Sequence, residues 1–294
     1  MTTRIHVLGV GKMGLPMAVH LRAGGHAVTV GDTSPASLAL ARAAGLEVTG
    51  DAASAIGAAD VVWSSLPHDD ALRAVATQVA QHARAGSAWV DTSTVSPTVS
   101  ADVAKQVQAA SVRYLRCTVS GNNKMAEAAQ LTVMASGPRE TYDALLPLLQ
   151  RMGPQCFWLG EAEQARLMKL VVNLMIVQTS AMLGEALTLG RKGGLDWRHM
   201  WQVIGASAVG SPIVRAKSVQ LAERDFTPTF TVEQMMKDLS LILGAGRDTQ
   251  VPLPQTAMTQ QLMLDALAHG EGGDDYAAII RSAERAAGLD NRLE

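Results

Sequence analysis

Two groups of residues in this 294-residue chain have the types and spacing for chemistry. The first is a glycine-rich turn, Gly9-Val10-Gly11-Lys12-Met13-Gly14, which follows an apolar run at 5–8 and precedes an alanine-rich segment of helical length. In such a strand–turn–helix unit the first glycine permits the tight turn and the second lets a pyrophosphate approach the backbone. The third lets helix and strand pack closely. The helix, expected to open near Lys12, would turn its free N–H groups and positive dipole end towards the phosphates. The pattern points to a dinucleotide, with a purely structural tight turn as the competing reading. The next run, at 27–30, ends in Gly31-Asp32-Thr33-Ser34-Pro35. An acidic residue about twenty positions after the turn is where a ribose hydroxyl is accepted. Asp32 would repel a 2′-phosphate, and no arginine follows within the next few residues, which favours NAD over NADP. The same aspartate equally suits a helix cap for the segment after Pro35.

The second group lies at 167–177, a stretch apolar on nearly every face and therefore expected to be buried all round. Lys169 and Asn173 are its only polar residues, and their spacing puts them on one helix face. Burying a lysine is costly without compensation. A desolvated lysine beside a cationic nicotinamide would have its pKa lowered from ~10.4 towards ~7–8, a range useful for proton transfer. Asn173 would orient the lysine or hold the substrate. The residues themselves leave a second account open, in which the lysine extends to a domain edge past a core-capping asparagine.

These residues need a frame. Short apolar runs at 5–8, 27–30, 61–64 and 88–90 alternate with helical segments at 15–23, 36–44 and 70–83. Further strand candidates at 131–135 and 156–159 flank a helix at 139–151. The alternation predicts βαβ units and a mainly parallel sheet, an α/β dinucleotide-binding (Rossmann) domain over 1–160. Beyond Gly160 no strand-like run survives. A helix over 161–192, stopped by Gly193-Gly194, would run roughly 48 Å at about 1.5 Å per residue. Further helices are expected at 197–204, 212–223, 232–244, 254–269 and 275–287, making an all-α domain over 161–294.

Bulk properties narrow the function classes. Apolar residues make up 48% of the chain, charged ones 18%, and the net charge is −2, a globular profile without the basic clusters of a nucleic-acid or polybasic membrane surface. Cys117 and Cys156 show no CxxC spacing, and a reducing compartment is the simpler reading. The N-terminus lacks a signal-peptide pattern, and the apolar stretch at 167–177 is too short to span a bilayer, so the chain reads as soluble and cytoplasmic. The histidines are scattered and no ligand cluster has metal spacing, so no metal is expected.

Further motifs share an order with the two groups above. They are Met13 and the Pro16-Met17 extension of the turn, Ser65-Leu66-Pro67, Asp91-Thr92-Ser93-Thr94, Thr118-Val119-Ser120-Gly121-Asn122 running on to Leu131-Thr132-Val133-Met134, and Lys237-Asp238-Leu239. With these the sequence resembles the β-hydroxyacid dehydrogenases. That group contains 3-hydroxyisobutyrate dehydrogenase, tartronate semialdehyde reductase and, more distantly, 6-phosphogluconate dehydrogenase. The resemblance implies an NAD(P)-dependent oxidoreductase, NAD favoured, that moves a hydride between the nicotinamide and a small β-hydroxy acid or its semialdehyde. It implies that Lys169 is the general acid/base with Asn173 as helper, and that Ser120, Gly121 and Asn122 bind the acid group of the substrate. Gly9, Gly11, Lys12, Met13, Gly14, Asp32, Leu66, Pro67 and Thr94 would contact the cofactor, and Lys237 would close over its nicotinamide side from the helical domain.

The chain departs from the family where the substrate loop usually reads Asp-Ala-Pro-Val-Ser-Gly-Gly. Here it reads Arg116-Cys117-Thr118-Val119-Ser120-Gly121-Asn122, followed by Asn123 and Lys124, and Ala129 replaces the glycine usual before the next strand. A larger, more polar or differently charged acid is compatible with this loop, as is a non-acid carbonyl. Two other readings stay open: an imine reductase on a related scaffold, against which Lys169 argues, and a non-catalytic dinucleotide-binding or redox-sensing protein. A homodimer or homotetramer is expected from the long apolar helix and the resemblance, with substrate between the two halves.

Overall fold

The computed structural model describes residues 2–289. The chain divides into two compact units, Met1–Lys169 and Leu170–Glu294. The first alternates strands and helices: β1 (Arg4–Leu8), α1 (Gly14–Ala23), β2 (Ala27–Gly31), α2 (Pro35–Ala43), β3 (Glu47–Val48), α3 (Ala52–Ala58), β4 (Val61–Ser64) and α4 (Asp69–His82). It continues through β5 (Ala88–Asp91), α5 (Pro97–Ala109), β6 (Arg113–Ser120), α6 (Asn123–Glu127), β7 (Thr132–Ser136), α7 (Arg139–Leu149) and β8 (Gln155–Trp158). The strands form one sheet in the order β3-β2-β1-β4-β5-β6-β7-β8. Every neighbouring pair is parallel except β6 with β7. Each residue of β4 and β5 is buried, because helices cover both faces of a parallel sheet.

Register determines where the chain leaves the sheet. Leu8 pairs with Gly31 on one side and Ser64 on the other, and Ser64 pairs with Asp91. Four loops therefore leave one carboxyl edge side by side, on either side of the point where the strand order reverses between β1 and β4. Such a switch point is where open α/β sheets bind ligands.

A long helix, α8 (Gln164–Lys192), leads into the second unit, which continues with α9 (Trp197–Ala206), α10 (Pro212–Leu221), α11 (Val232–Asp248), α12 (Pro254–Ala268), a 3-10 turn at Tyr276–Ala278 and α13 (Ile279–Ala286). Val177, Leu183 and Leu187 of α8 join Trp197, Trp201, Leu239, Met263 and Ile279 in its core. Glu284 is buried and takes ion pairs from Arg191 and Arg224, which satisfies a carboxylate that could not otherwise be held there.

Three expectations differ from what is found. The units divide at Lys169 rather than at residue 160, because Ala165 and Arg166 of α8 are buried among first-unit residues. Ala165 N–H donates to Ser136 Oγ, and its carbonyl accepts from Thr118 Oγ1. Next, β3, α3, α5, β6 and the short α6 are elements beyond those expected. Finally, the 167–177 stretch is not buried all round. Leu170, Asn173 and Val177 are buried, whereas Leu167, Met168, Val171 and Met175 are exposed, Met175 at 64%. Among the described residues one stripe of this stretch, at i, i+3, i+7 spacing, is buried, and the apolar residues opposite it are exposed. By length and composition alone α8 could cross a bilayer.

His6, in the middle of β1, is fully buried, with Nδ1 2.9 Å from Thr29 Oγ1 and Nε2 without a partner. Burial pushes its imidazole down to about 4, against a smaller opposing effect of the Thr29 contact. The folded chain keeps His6 neutral where an unfolded chain protonates it, so the linked stability is complete above about pH 6.5 and drains away as the pH falls. The loss reaches about 3 kcal/mol near pH 4. Thermal melts between about pH 7.5 and about pH 4.5 should show the parent chain losing more stability than His6→Gln, each measured against its own value at the higher pH. Parallel curves would remove the assignment.

Candidate active site

The glycine turn sits at the carboxyl edge. Gly9 has φ +84°, and a Cβ there would collide with the Ser65 carbonyl oxygen. A Cβ at Gly14 would strike the carbonyl of Gly9, so helix and turn close on each other only because both lack side chains. Gly11 differs: a Cβ there meets nothing within 4 Å. Packing does not demand a glycine at this position, and the space beside its backbone is open. Helix α1 starts at Gly14, slightly later than expected, and Met13 at its N-cap makes no side-chain cap hydrogen bond. Lys12 is exposed beside it. An uncapped helix N-terminus above an open glycine suits a diphosphate. A groove of about 480 Å³ runs along α1, lined by Gly11 and Lys12 together with Ser37 of α2 and Asn123 of α6.

Asp32 is held in place by its backbone surroundings. Its Oδ2 accepts from Val10 N–H at 2.7 Å and its Oδ1 from Ser34 N–H at 2.7 Å. Ser34, not Asp32, caps α2, accepting from Ser37 N–H. The helix-cap alternative for Asp32 thus falls to its neighbour, and the carboxylate stands fixed against the dinucleotide turn. At the next two strand ends, Leu66 N–H donates to Ser93 Oγ, which in turn donates to Asp91 Oδ1 at 2.7 Å. Ser64 Oγ donates to the same carboxylate oxygen at 2.5 Å and accepts from Trp89 Nε1. Pro67 is exposed and Thr94 half-buried on the two loops.

The Ser120–Asn122 segment leaves the end of β6, with Gly121 at φ +137°. Asn122 turns back on its own backbone: its Oδ1 accepts from Met125 N–H at 3.0 Å and caps the short α6. Ala129, where glycine is usual, keeps the left-handed conformation at φ +53°. Lys124 is exposed.

Lys169 is half-buried on α8, not fully buried as expected. Asn173, one turn further along the same face, is 5% exposed and donates from Nδ2 to Asp238 Oδ2 at 2.6 Å. Asp238 lies on α11, and its Oδ1 is 3.1 Å from Lys237 Nζ. The second unit therefore brings Asn173, Asp238 and Lys237 together. Sequence reasoning quoted Asp238 only as part of a motif. Its signal was a carboxylate on the buried stripe of an amphipathic helix, between Met235 and Ile242. It quoted Asp91 likewise only within a motif, and missed Arg166, its fully buried pairing with Asp91, and the pairing of Arg116 on β6 with Glu163 at 2.5 Å.

Comparison with known proteins agrees with this geometry over nearly the whole chain. Residues 4–160 match the NAD binding domain of 6-phosphogluconate dehydrogenase, and residues 164–283 match the NAD-binding domain of NADP-dependent 3-hydroxyisobutyrate dehydrogenase. The 2-(hydroxymethyl)glutarate dehydrogenase of Eubacterium barkeri is 33% identical over 290 residues, covering 97% of this chain and 96% of its own. A solved structure of Mycobacterium tuberculosis 3-hydroxyisobutyrate dehydrogenase with L-serine superposes with a TM-score of 0.89 at 29% identity, over 96% of this chain and 99% of that one. An imine reductase from Pseudomonas sp. shares the fold more loosely, with a TM-score of 0.64 at 20% identity over 96% of this chain and 99% of its own.

The conformation of Ala129 generates a prediction. A residue with a Cβ in the left-handed region costs roughly 1–2 kcal/mol, and glycine relieves that cost while adding roughly 0.4–1 kcal/mol of unfolded-state entropy. Ala129→Gly should therefore raise stability by about 0.5–1 kcal/mol, read from denaturant midpoints, and a clear loss would contradict the strain.

Proposed function

The chain belongs to the β-hydroxyacid dehydrogenase family of NAD(P)-dependent oxidoreductases acting on CH–OH groups, and from that membership we propose that it interconverts a small β-hydroxy acid and its semialdehyde, using NAD, with Lys169 as general acid/base. The observation that carries the lysine's role is the polar face of α8. Lys169 is half-shielded, and Asn173, one turn on, is pinned by the buried Asp238. When bound, the nicotinamide ring supplies or accepts the hydride. In reduction, protonated Lys169 Nζ donates its proton to the substrate oxygen as that oxygen gains charge. In oxidation, the neutral amine takes the hydroxyl proton. Asn173 holds the lysine's face of the helix in place, and Ser120 with the backbone of Gly121 and Asn122 holds the substrate's acid group.

For the cofactor, Gly11 and the start of α1 suit the pyrophosphate, with Lys12, Met13, Leu66, Pro67 and Thr94 around it and Lys237 on the nicotinamide side. Asp32 supports NAD: a carboxylate fixed by Val10 and Ser34 N–H groups accepts from ribose hydroxyls and repels a 2′-phosphate. The name of the Eubacterium relative, a hydroxymethyl dicarboxylate dehydrogenase, supports a substrate range that extends to acids with a second carboxylate. The exposed apolar residues of α8, Met175, Met182 and Leu189 among them, support a homodimer or homotetramer. Two free cysteines, with Cys117 buried, fit a reducing, cytoplasmic setting.

Lys169→Ala should lower turnover by about 10²–10⁴-fold while leaving NADH affinity, followed by fluorescence, within about threefold. In the parent chain the reductive kcat should fall with rising pH and the oxidative kcat should climb across the same range, since one direction needs the proton on the amine and the other needs it off. Unchanged turnover in the variant would end this mechanism. Assayed side by side, NADH should exceed NADPH in kcat/KM by at least about tenfold, equivalent to about 1.4 kcal/mol. A clear preference for NADPH would discard the role given to Asp32.

A further inference from the structure

Arg166 lies one helical turn before Lys169 on α8, and its side chain is wholly buried. Each nitrogen of its guanidinium is used. Nη2 is paired with Asp91 Oδ2 and donates to Tyr114 Oη at 2.9 Å, Nη1 donates to the Ser93 carbonyl at 2.5 Å, and Nε donates to Ser100 Oγ at 3.2 Å. The other oxygen of Asp91 receives Ser64 and Ser93 hydroxyls, and Ser93 Oγ receives Leu66 N–H. An unbroken chain of hydrogen bonds thus runs from the lysine-bearing helix through Asp91 and Ser93 to Leu66, on the two loops that flank Asp91 and Ser64 at the carboxyl edge. A second clamp lies three residues earlier, where Glu163 pairs with Arg116 of β6.

A buried ion pair is a weak source of stability, because desolvation offsets its attraction, and an apolar filler would serve a core as well. What this pair provides is direction. Burial works against the Arg166 charge, but Tyr114, Asp91 and Glu163 around it more than offset that and hold the guanidinium above the ordinary arginine value. The fork therefore stays charged at any working pH. Its planar donors fix angle as well as distance, which a lysine cannot do. We infer that Arg166 is a positioning residue for the reaction: it locks the α8 turn that carries Lys169 to the cofactor-side loops at Leu66 and Ser93. This rests on the reading of Lys169 as the acid/base, where a misplacement of about 1 Å is enough to cost about 10²-fold in rate.

The test compares Arg166→Met, Arg166→Lys and the Asp91→Asn/Arg166→Met pair, each alone and combined with Lys169→Ala, by melting temperature, NADH fluorescence titration and steady-state kinetics. Arg166→Met should lower kcat by about 10²-fold with the substrate KM within about threefold, and that loss should shrink to less than about threefold in the Lys169→Ala background. Arg166→Lys should recover folding but only part of kcat. The Asp91→Asn/Arg166→Met pair removes both charges at once, and it should fold even where Arg166→Met does not and still show the kcat defect. If kcat follows only the folded fraction, or if the loss is equally large without Lys169, Arg166 is merely structural and the inference is overturned. Failure of the Lys169 reading is recognised separately, as undiminished turnover in the Lys169→Ala single variant.

Discussion

Parallel register places Leu8 beside both Gly31 and Ser64, and Ser64 beside Asp91. Because each parallel strand leaves the sheet at the same edge, the residues just after these four positions are neighbours in space whatever their separation along the chain. The glycine turn, Asp32, Leu66 and Ser93 owe their proximity to this alone. Each side chain then refines it: Asp32 grips Val10, and Ser93 grips Leu66. The backbone sets a row of loops, and local hydrogen bonds convert the row into a surface of fixed shape.

How much of this could be read from the residues follows from how far apart the interacting partners lie. The glycine turn, the short apolar strands and the long helix announce themselves within a window of ten to thirty residues. Strand β6 does not, because Arg113, Arg116 and Thr118 interrupt its apolar pattern. Arg116 is tolerable inside the sheet only because Glu163 arrives 47 residues later. Asp238 and Arg166 escaped for the same reason. Their partners stand 65 and 75 residues away, and a lone charge in a helix carries no mark of what will neutralise it. Lys169 and Asn173 were legible by contrast with the greasy residues around them, yet that contrast overstated burial. Apolar composition says which residues resist water and not which of them the chain itself covers.

The two halves of the polar chemistry are built differently. Around Asp91 every partner is buried and belongs to the first unit, so the geometry there is as rigid as the sheet. Around Asp238 the cluster spans two helices of the second unit and includes the half-exposed Lys237.

The central place of β1 also governs how the molecule is made. This strand precedes both its neighbours in the chain and hydrogen-bonds to β2 on one side and to β4 on the other, with Ile5 opposite Val61. During synthesis its second edge stays unsatisfied until translation has passed Ser64, and both its neighbours must be reached by crossover rather than by hairpin. The strand therefore keeps one open edge for β pairing throughout that interval, the kind of edge that recruits other chains.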